Sequence, residues 1–210
     1  MFCHFYLVRH GETLWNTTGK LQGQLDSPLT ETGIRQAMER SKTFQEIEFA
    51  DAFSSDLFRA KRTAEIIVAD KKLAIKTNQL LRERNFGVYD GKLVSQFLVD
   101  LHDQLEYRES LSEEKQYSHK LRADIESDEE IVTRMLTFFR ETAVAYPDKN
   151  VLVVSHGSII RSFLVKLGFA TNQELSPGSI ANLGFAQIDC NGVDFEVKMT
   201  EGITLFRKTS

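Results

Sequence analysis

The chain has 210 residues, a mass of 24.0 kDa, 41% apolar and 27% charged residues and a formal net charge of −4. That suffices for one domain burying about 70% of the surface its unfolded chain would expose, and it excludes wholesale disorder. Two cysteines, Cys3 and Cys190, exclude a disulfide scaffold and suit a reducing, cytoplasmic compartment, while the acidic balance argues against a nucleic-acid partner but not against a small anionic substrate held in a local cluster of positive charge.

The first strong segment, Phe2–Arg9, is rich in aromatic and β-branched residues and predicts a strand. Ile34, Ala37, Ser41, Phe44 and Ile47 then recur at helical spacing after Leu29–Gly33. Phe49–Ser55 predicts a second strand, and Asp56 is placed to cap a helix with Ala60, Ala64, Ile67 and Val68 on its buried stripe. A short strand is expected around Ala74–Lys76. The spacing of Leu93, Phe97, Leu101 and Leu105 predicts one helix, and the charged, weakly periodic stretch to Glu126 an irregular or helical lid, so that 93–126 is an insertion in a single domain, 1–210. Ser127 and Glu130 form a capping box before a long helix through Ile131, Met135, Phe138 and Ala143. Val151–Ser155 is an all-apolar strand of the kind covered on both faces, and Ile159–Leu167 a helix stopped by Gly168. Asn191-Gly192 signals an antiparallel hairpin. No apolar run approaches the roughly 20 residues that span a bilayer, and no basic leader precedes the first apolar stretch, so neither membrane association nor a signal peptide is expected.

Strands alternating with helices define an α/β domain with a mostly parallel sheet and an antiparallel edge. Ligand clefts in such sheets lie beyond the carboxyl ends of the strands. That rule selects Arg9 and His10 after the first strand, Ser54, Ser55 and Arg59 after the second, and His156 and Gly157 after Val151–Ser155. Two arginines and two histidines converging suit a doubly charged oxyanion, because guanidinium groups bind phosphate through paired, charge-assisted hydrogen bonds. A neutral imidazole can attack phosphorus, and the leaving alkoxide needs an acid. Glu83, flanked by Arg82 and Arg84, is the candidate, since a carboxyl beside a phosphate dianion keeps its proton more readily.

Four ordered blocks carry a resemblance: Arg9-His10-Gly11-Glu12-Thr13 with Asn16 and Gln22-Gly23; Ser54-Ser55 through Arg59 to Glu65; the Glu83 loop with Gly87 and Asp90-Gly91; and Val154-Ser155-His156-Gly157. Together they resemble the histidine phosphatase superfamily, also called phosphoglycerate-mutase-like. The resemblance implies a three-layer α/β/α sandwich, a phosphohistidine at His10, a phosphate pocket completed by Arg9, Arg59 and His156, and proton transfer by Glu83. It places Asn16, Gln22, Gly23 and Gly157 near the phosphate, and it implies no cofactor and no metal. The expected function is a phosphomonoester hydrolase acting on small phosphorylated metabolites. A mutase and a non-catalytic phosphate-binding module are the alternatives. Only 73 positions separate Glu83 from His156, which favours hydrolysis over the mutase branch with its longer insertion. Local stretches around Ser54 and Glu83 also look like the fructose-bisphosphatase branch.

Several residues have blander readings. Arg62 competes with Arg59 but lies further from the helix start, and so from the cleft. Glu83 could instead pair with Arg82 or Arg84. Asn16 and Gln22 could simply order their loop. His4 shares parity with His10 but sits roughly 20 Å away and is expected to pack within its strand. His102 and His119 are expected to be solvated, as are Arg108, Lys115, Lys120 and Arg122, although those four could meet a second phosphate or carboxylate. Phe86 and Tyr89 are the aromatic candidates for the cleft wall. An exposed antiparallel edge would leave room for a homodimer.

Overall fold

A computed structural model describes residues 1–206; the last four residues of the expected 1–210 domain lie outside the described ones. Six strands, β1 (Cys3–Arg9), β2 (Phe49–Ser54), β3 (Ile75–Thr77), β4 (Asn150–Ser155), β5 (Ile180–Cys190) and β6 (Phe195–Ile203), form one sheet in the order β3-β2-β4-β1-β5-β6. The first four in that order run parallel, and β5 and β6 add the antiparallel edge. Eight α-helices are described: α1 (Leu14–Thr17), α2 (Glu31–Thr43), α3 (Phe58–Ile67), α4 (Val94–Asp100), α5 (His102–Ser110), α6 (Glu113–Ser118), α7 (Asp128–Ala145) and α8 (Gly157–Lys166).

The alternation along the central strands builds two cores. Cys3, Phe5 and Leu7 of β1, with Val151 and Val153 of β4, face Met135, Phe138 and Phe139 of α7 and Ile159, Ile160 and Phe163 of α8. Tyr6, Val8, Leu152 and Val154 point the other way, onto Ala37 of α2 and Ala60, Ala64 and Ile67 of α3. Successive side chains of a strand point to opposite faces, so a strand covered on both must be apolar throughout. The result is a three-layer α/β/α sandwich. Phe139, fully buried between Phe5 and Phe163, is the type of side chain whose truncation to alanine costs about 3–5 kcal/mol.

The capping box of Ser127 and Glu130 is present, and Thr30 caps α2 through Gly33 N–H. The α3 start differs from expectation. Its cap residue is Leu57, with no side-chain bond, because Asp56 is drawn off by Arg82 in a two-point ion pair. The first N–H groups of α3, those of Phe58 and Arg59, are met instead by Asp26 from a remote loop. The helix expected over Leu93–Leu105 is two helices, broken where Leu101 leaves helical geometry (φ −111°). The rest of the expected lid is helical as far as Ser118. Phe97, Leu101 and Ile125 form a small third core with Tyr89. The hairpin at Asn191-Gly192 joins β5 and β6, with Gly192 at φ +94°. Among the described residues, no helix is long and apolar enough to cross a membrane.

Candidate active site

Strands β1 and β4 are parallel neighbours with Arg9 opposite Ser155. Each chain then continues into a histidine, so the register alone sets His10 beside His156. Their rings lie 5.2 Å apart, and His10 N–H donates to the Ser155 carbonyl at 3.0 Å. Arg59 arrives from the other side of β4, at the second residue of α3. Arg9, His10, Asn16, Gln22, Gly23, Arg59, Glu83 and Gly157 line one cavity of about 510 Å³. His156 is fully buried behind His10 and is not among the lining residues.

Each of these side chains is held. His10 Nδ1 lies 2.7 Å from the Gly11 carbonyl. A carbonyl only accepts, so Nδ1 carries the hydrogen and the free lone pair is on Nε2. Burial pushes the His10 pKa well below its usual value, and the charges of Arg59 and Arg9 act in the same direction. The imidazole is therefore neutral, the form that can act as a nucleophile. His156 is lowered likewise, by burial, then Arg59, His10 and Arg9. The backbone around His10 is fixed too: Asn182 Nδ2 donates to its carbonyl at 3.0 Å, and Gly11 N–H donates to Thr63 Oγ1 at 3.0 Å.

Arg59 is completely buried. It donates to the carbonyls of Leu25 (2.6 Å) and Gly23 (2.7 Å) and to Asp26 Oδ1 (3.0 Å). Gly23, at φ +51°, is thus an acceptor that orients the arginine. A Cβ on Gly157 would come within 3.2 Å of Arg9 Nε, so the absent side chain makes room for that guanidinium. Arg9 Nε, Arg59 Nε, Gln22 Oε1 and both ring nitrogens of His156 are buried without a hydrogen-bond partner among the described residues. Buried polar groups are normally paired, so three such atoms on residues that line the cleft, with the His156 ring beside His10, mark a place for a polar ligand.

Glu83 forms no salt bridge with its neighbours, because Arg82 pairs with Asp56 and Arg84 with Asp128. Its Oε1 accepts N–H groups of Arg84 (2.8 Å) and Ile159 (3.2 Å), and its Oε2 that of Ser158 (3.0 Å). The carboxylate thereby sits on the first turn of α8, where the helix dipole favours it. Asn16 lines the cavity, but its Oδ1 is engaged in the α1 capping box with Thr13, so it also orders the loop.

Other candidates resolve differently. Arg62 pairs with Glu65 on the exposed side of α3. His4 bonds Asp189 at 2.7 Å within the sheet. His102 is exposed, as expected, but His119 lines the cavity, because the turn after α6 folds back over it. Arg108 lines it as well, whereas Lys120 and Arg122 pair with Glu130 and Asp124. Phe86 and Phe97 form aromatic wall; Tyr89 is turned into the third core. Sequence reasoning did not assign Asp26, Thr63 or Asn182, whose contacts span 33, 52 and 172 residues.

A parallel-sheet edge carrying two neutral imidazoles and two buried guanidinium groups is an oxyanion-handling site. The chain belongs to the histidine phosphatase superfamily (branch 1), whose profile matches residues 5–201. It is 34% identical over 183 residues to "Uncharacterized phosphatase PhoE" of Bacillus subtilis (strain 168), covering 87% of this chain and 86% of that one. It is 48% identical over 87 residues to "Probable phosphoglycerate mutase GpmB" of Yersinia pestis (strain Pestoides F), 41% and 40% of the two chains. Among solved structures it is similar to Bacillus stearothermophilus YhfR, with a TM-score of 0.82, 27% identity and coverage of 96% and 98%.

Proposed function

We propose that this protein is a phosphomonoester hydrolase that works through a phosphohistidine at His10 on small phosphorylated metabolites. The observation that carries the reading is the neutral His10, its Nδ1 committed to the Gly11 carbonyl, in a cleft walled by Arg9 and Arg59. The two arginines neutralise the phosphoryl oxygens, which is the main demand of phosphoryl transfer. His156 donates a hydrogen bond to a phosphoryl oxygen, satisfying a ring otherwise buried without partners. Asn16 and Gln22 contact the same group from the loop side.

Nε2 of His10 attacks phosphorus, and the bond from phosphorus to the ester oxygen breaks. That oxygen takes the proton of Glu83 and leaves as an alcohol. Oε2 is the oxygen more open to carry that proton, since it accepts one backbone N–H where Oε1 accepts two. In the second step water gives a proton to Glu83 and attacks phosphorus, the P–N bond breaks, and inorganic phosphate is released. His10 and Glu83 return to their starting states. Guanidinium groups supply the positive charge, so no metal is called for, and activity should persist after chelation. Free, buried Cys3 and Cys190 fit a reducing compartment such as the cytoplasm.

The test is alkali-quenched or freeze-trapped labelling with a radiolabelled phosphomonoester. Wild-type protein should yield an acid-labile, base-stable phosphoenzyme, and His10→Ala none, together with loss of turnover. Wild-type turnover by His10→Ala would remove the histidine from the reaction.

A further inference from the structure

The cavity does not end at the phosphate pocket. One turn further along α8 it is lined by three more guanidinium groups, those of Arg84, Arg108 and Arg161. Arg84 and Arg108 share a single buried carboxylate, Asp128, which also accepts from Ser162 Oγ at 2.7 Å. Arg161 has no carboxylate partner among the described residues. Its Nε and one terminal nitrogen donate to the carbonyls of Leu175 and Asn172 and to Asn172 Oδ1. Burial, together with the charges of Arg84 and Arg108 and against the pull of Asp128, brings Arg161 down to about 10, so it stays protonated at neutral pH. Three cations around one anion leave two positive charges uncompensated in a half-buried place. Of the other carboxylates that line the cavity, Glu126 is already bound to Arg134 and Glu83 to backbone N–H groups of Arg84, Ser158 and Ile159.

The spacing is set by consecutive residues. Glu83 grips α8 at Ser158 N–H, and Arg84 reaches Ser162 Oγ at 3.3 Å. Ser158 and Ser162 are four residues apart, about 6 Å along a helix axis. The walls between are apolar, with Phe97, Leu105 and Ile125 among them, and an apolar wall strengthens charge–charge attraction by lowering the local dielectric.

We propose that Arg161, Arg84 and Arg108 bind a second anionic group, a carboxylate or a phosphate, carried by the leaving group of the phosphomonoester. This rests on the hydrolase reading and gives its substrate class: doubly anionic esters with only a few bonds between the ester oxygen and the second anion. Asp128 pins Arg84 and Arg108 in place, and Arg161 supplies the free donors.

The experiment uses a matched series of three-carbon phosphomonoesters ending in a carboxylate, a second phosphate or a hydroxyl, with 1-naphthyl phosphate as an apolar comparison. Wild-type kcat/KM should be at least tenfold higher for one of the doubly anionic esters than for the hydroxyl ester, roughly the worth of one charge-assisted hydrogen bond. Which of the two wins identifies the second anion. Arg161→Gln, and independently Arg108→Gln should the first variant fold poorly, should each cut that ratio about tenfold. A wild-type ratio near one, a ratio that neither variant moves, or preference for 1-naphthyl phosphate would overturn the proposal. Calorimetric binding of the same series to His10→Ala protein separates the two readings. Arg161-dependent preference for a doubly anionic ester without turnover by the wild type would retain the subsite and reject the hydrolase. Turnover without preference would do the reverse.

Discussion

Asp26 offers a sharp test of how the phosphate pocket is held, because no capping pattern or motif points to it. Its Oδ2 accepts Phe58 N–H at 2.7 Å, and its Oδ1 accepts Arg59 N–H at 3.3 Å and the Arg59 guanidinium at 3.0 Å. Asp26→Ala removes a helix cap, about 1 kcal/mol, and a charge-assisted bond of about 1.5–3 kcal/mol. Asp26 is 34% exposed, so the second figure is discounted for screening, and a total of roughly 2–3 kcal/mol is expected. For a chain of this size that lowers Tm by about 4–12 °C. Arg59 keeps the Gly23 and Leu25 carbonyls, so its orientation is loosened rather than lost. A drop in kcat/KM of about tenfold follows, well short of removing the guanidinium itself. Asp26→Asn retains an acceptor for the helix N–H groups but not the charge, so it should recover more of the stability than of the activity. Steady-state kinetics at 20 °C and thermal unfolding supply both readouts. An Asp26→Ala protein within twofold of wild-type kcat/KM, or an Asp26→Asn protein indistinguishable from it, would refute the claim that this carboxylate aims Arg59.

Glu83→Gln should lose about 10²–10⁴-fold in kcat/KM, which reports only the first step, for alkyl phosphates, whose leaving group needs a proton, and much less for p-nitrophenyl phosphate, whose phenolate leaves unaided. A deficit independent of leaving group would deny Glu83 its acid role. Gly33→Ala would put a Cβ 2.1 Å from the Glu12 carbonyl, forcing the Gly11–Glu12 segment away from α2; overpacking of this kind costs about 1–3 kcal/mol and here should also lower kcat, because Gly11 supplies the acceptor for His10. The lowered pKa values of His10 and His156 give stability a definite pH slope. Unfolded imidazoles bind protons near pH 6.5, while the folded ones resist until well below it. Stability is therefore fully present above that value and falls with decreasing pH, by up to about 1.4 kcal/mol per pH unit for each histidine, until the folded values are reached. Denaturant unfolding of His156→Gln between pH 7.5 and 5 should show that slope reduced by about one proton; an unchanged slope would contradict the burial argument.

The central architecture was legible because its residues have few alternatives. A run such as Val151–Ser155, apolar up to its last residue, fits a strand covered on both faces and little else, and the rule that clefts lie beyond strand ends then delivers Arg9, His10, Arg59 and His156 together. Glu83 came from chemical need and from the family blocks rather than from periodicity. What escaped were contacts whose partners are remote in sequence. Asp56 has the local form of a cap, but Arg82, 26 residues on, competes for it with two bonds. Asp26, which takes its place, lies 32 residues before Phe58 and carries no capping signature. The leucine and phenylalanine spacing that suggested one helix continues across Leu101 because α4 and α5 follow each other directly and feed the same small core. His119 sits in a charged segment with no periodicity, so nothing local could say that it turns to the cavity.

The same burial that readies the site also burdens the fold. Arg9, Arg59 and His156 are withdrawn from water where the two cores flank β1 and β4, yet some of their nitrogens find no acceptor among the described residues. Leaving a buried donor unmet costs roughly 1–3 kcal/mol each, and two guanidinium charges so close repel. The positions follow from the register of β1 on β4 and from the anchoring of Arg59 on three oxygens. On the proposed function a phosphoryl dianion would accept from unpaired donors and offset the charge. Binding energy therefore need not be spent on ordering the pocket, and it is concentrated where the developing charge of phosphoryl transfer lies. The geometry that makes the free protein less stable than it could be is the geometry that lets His10 remain neutral beside two cations, with its lone pair available.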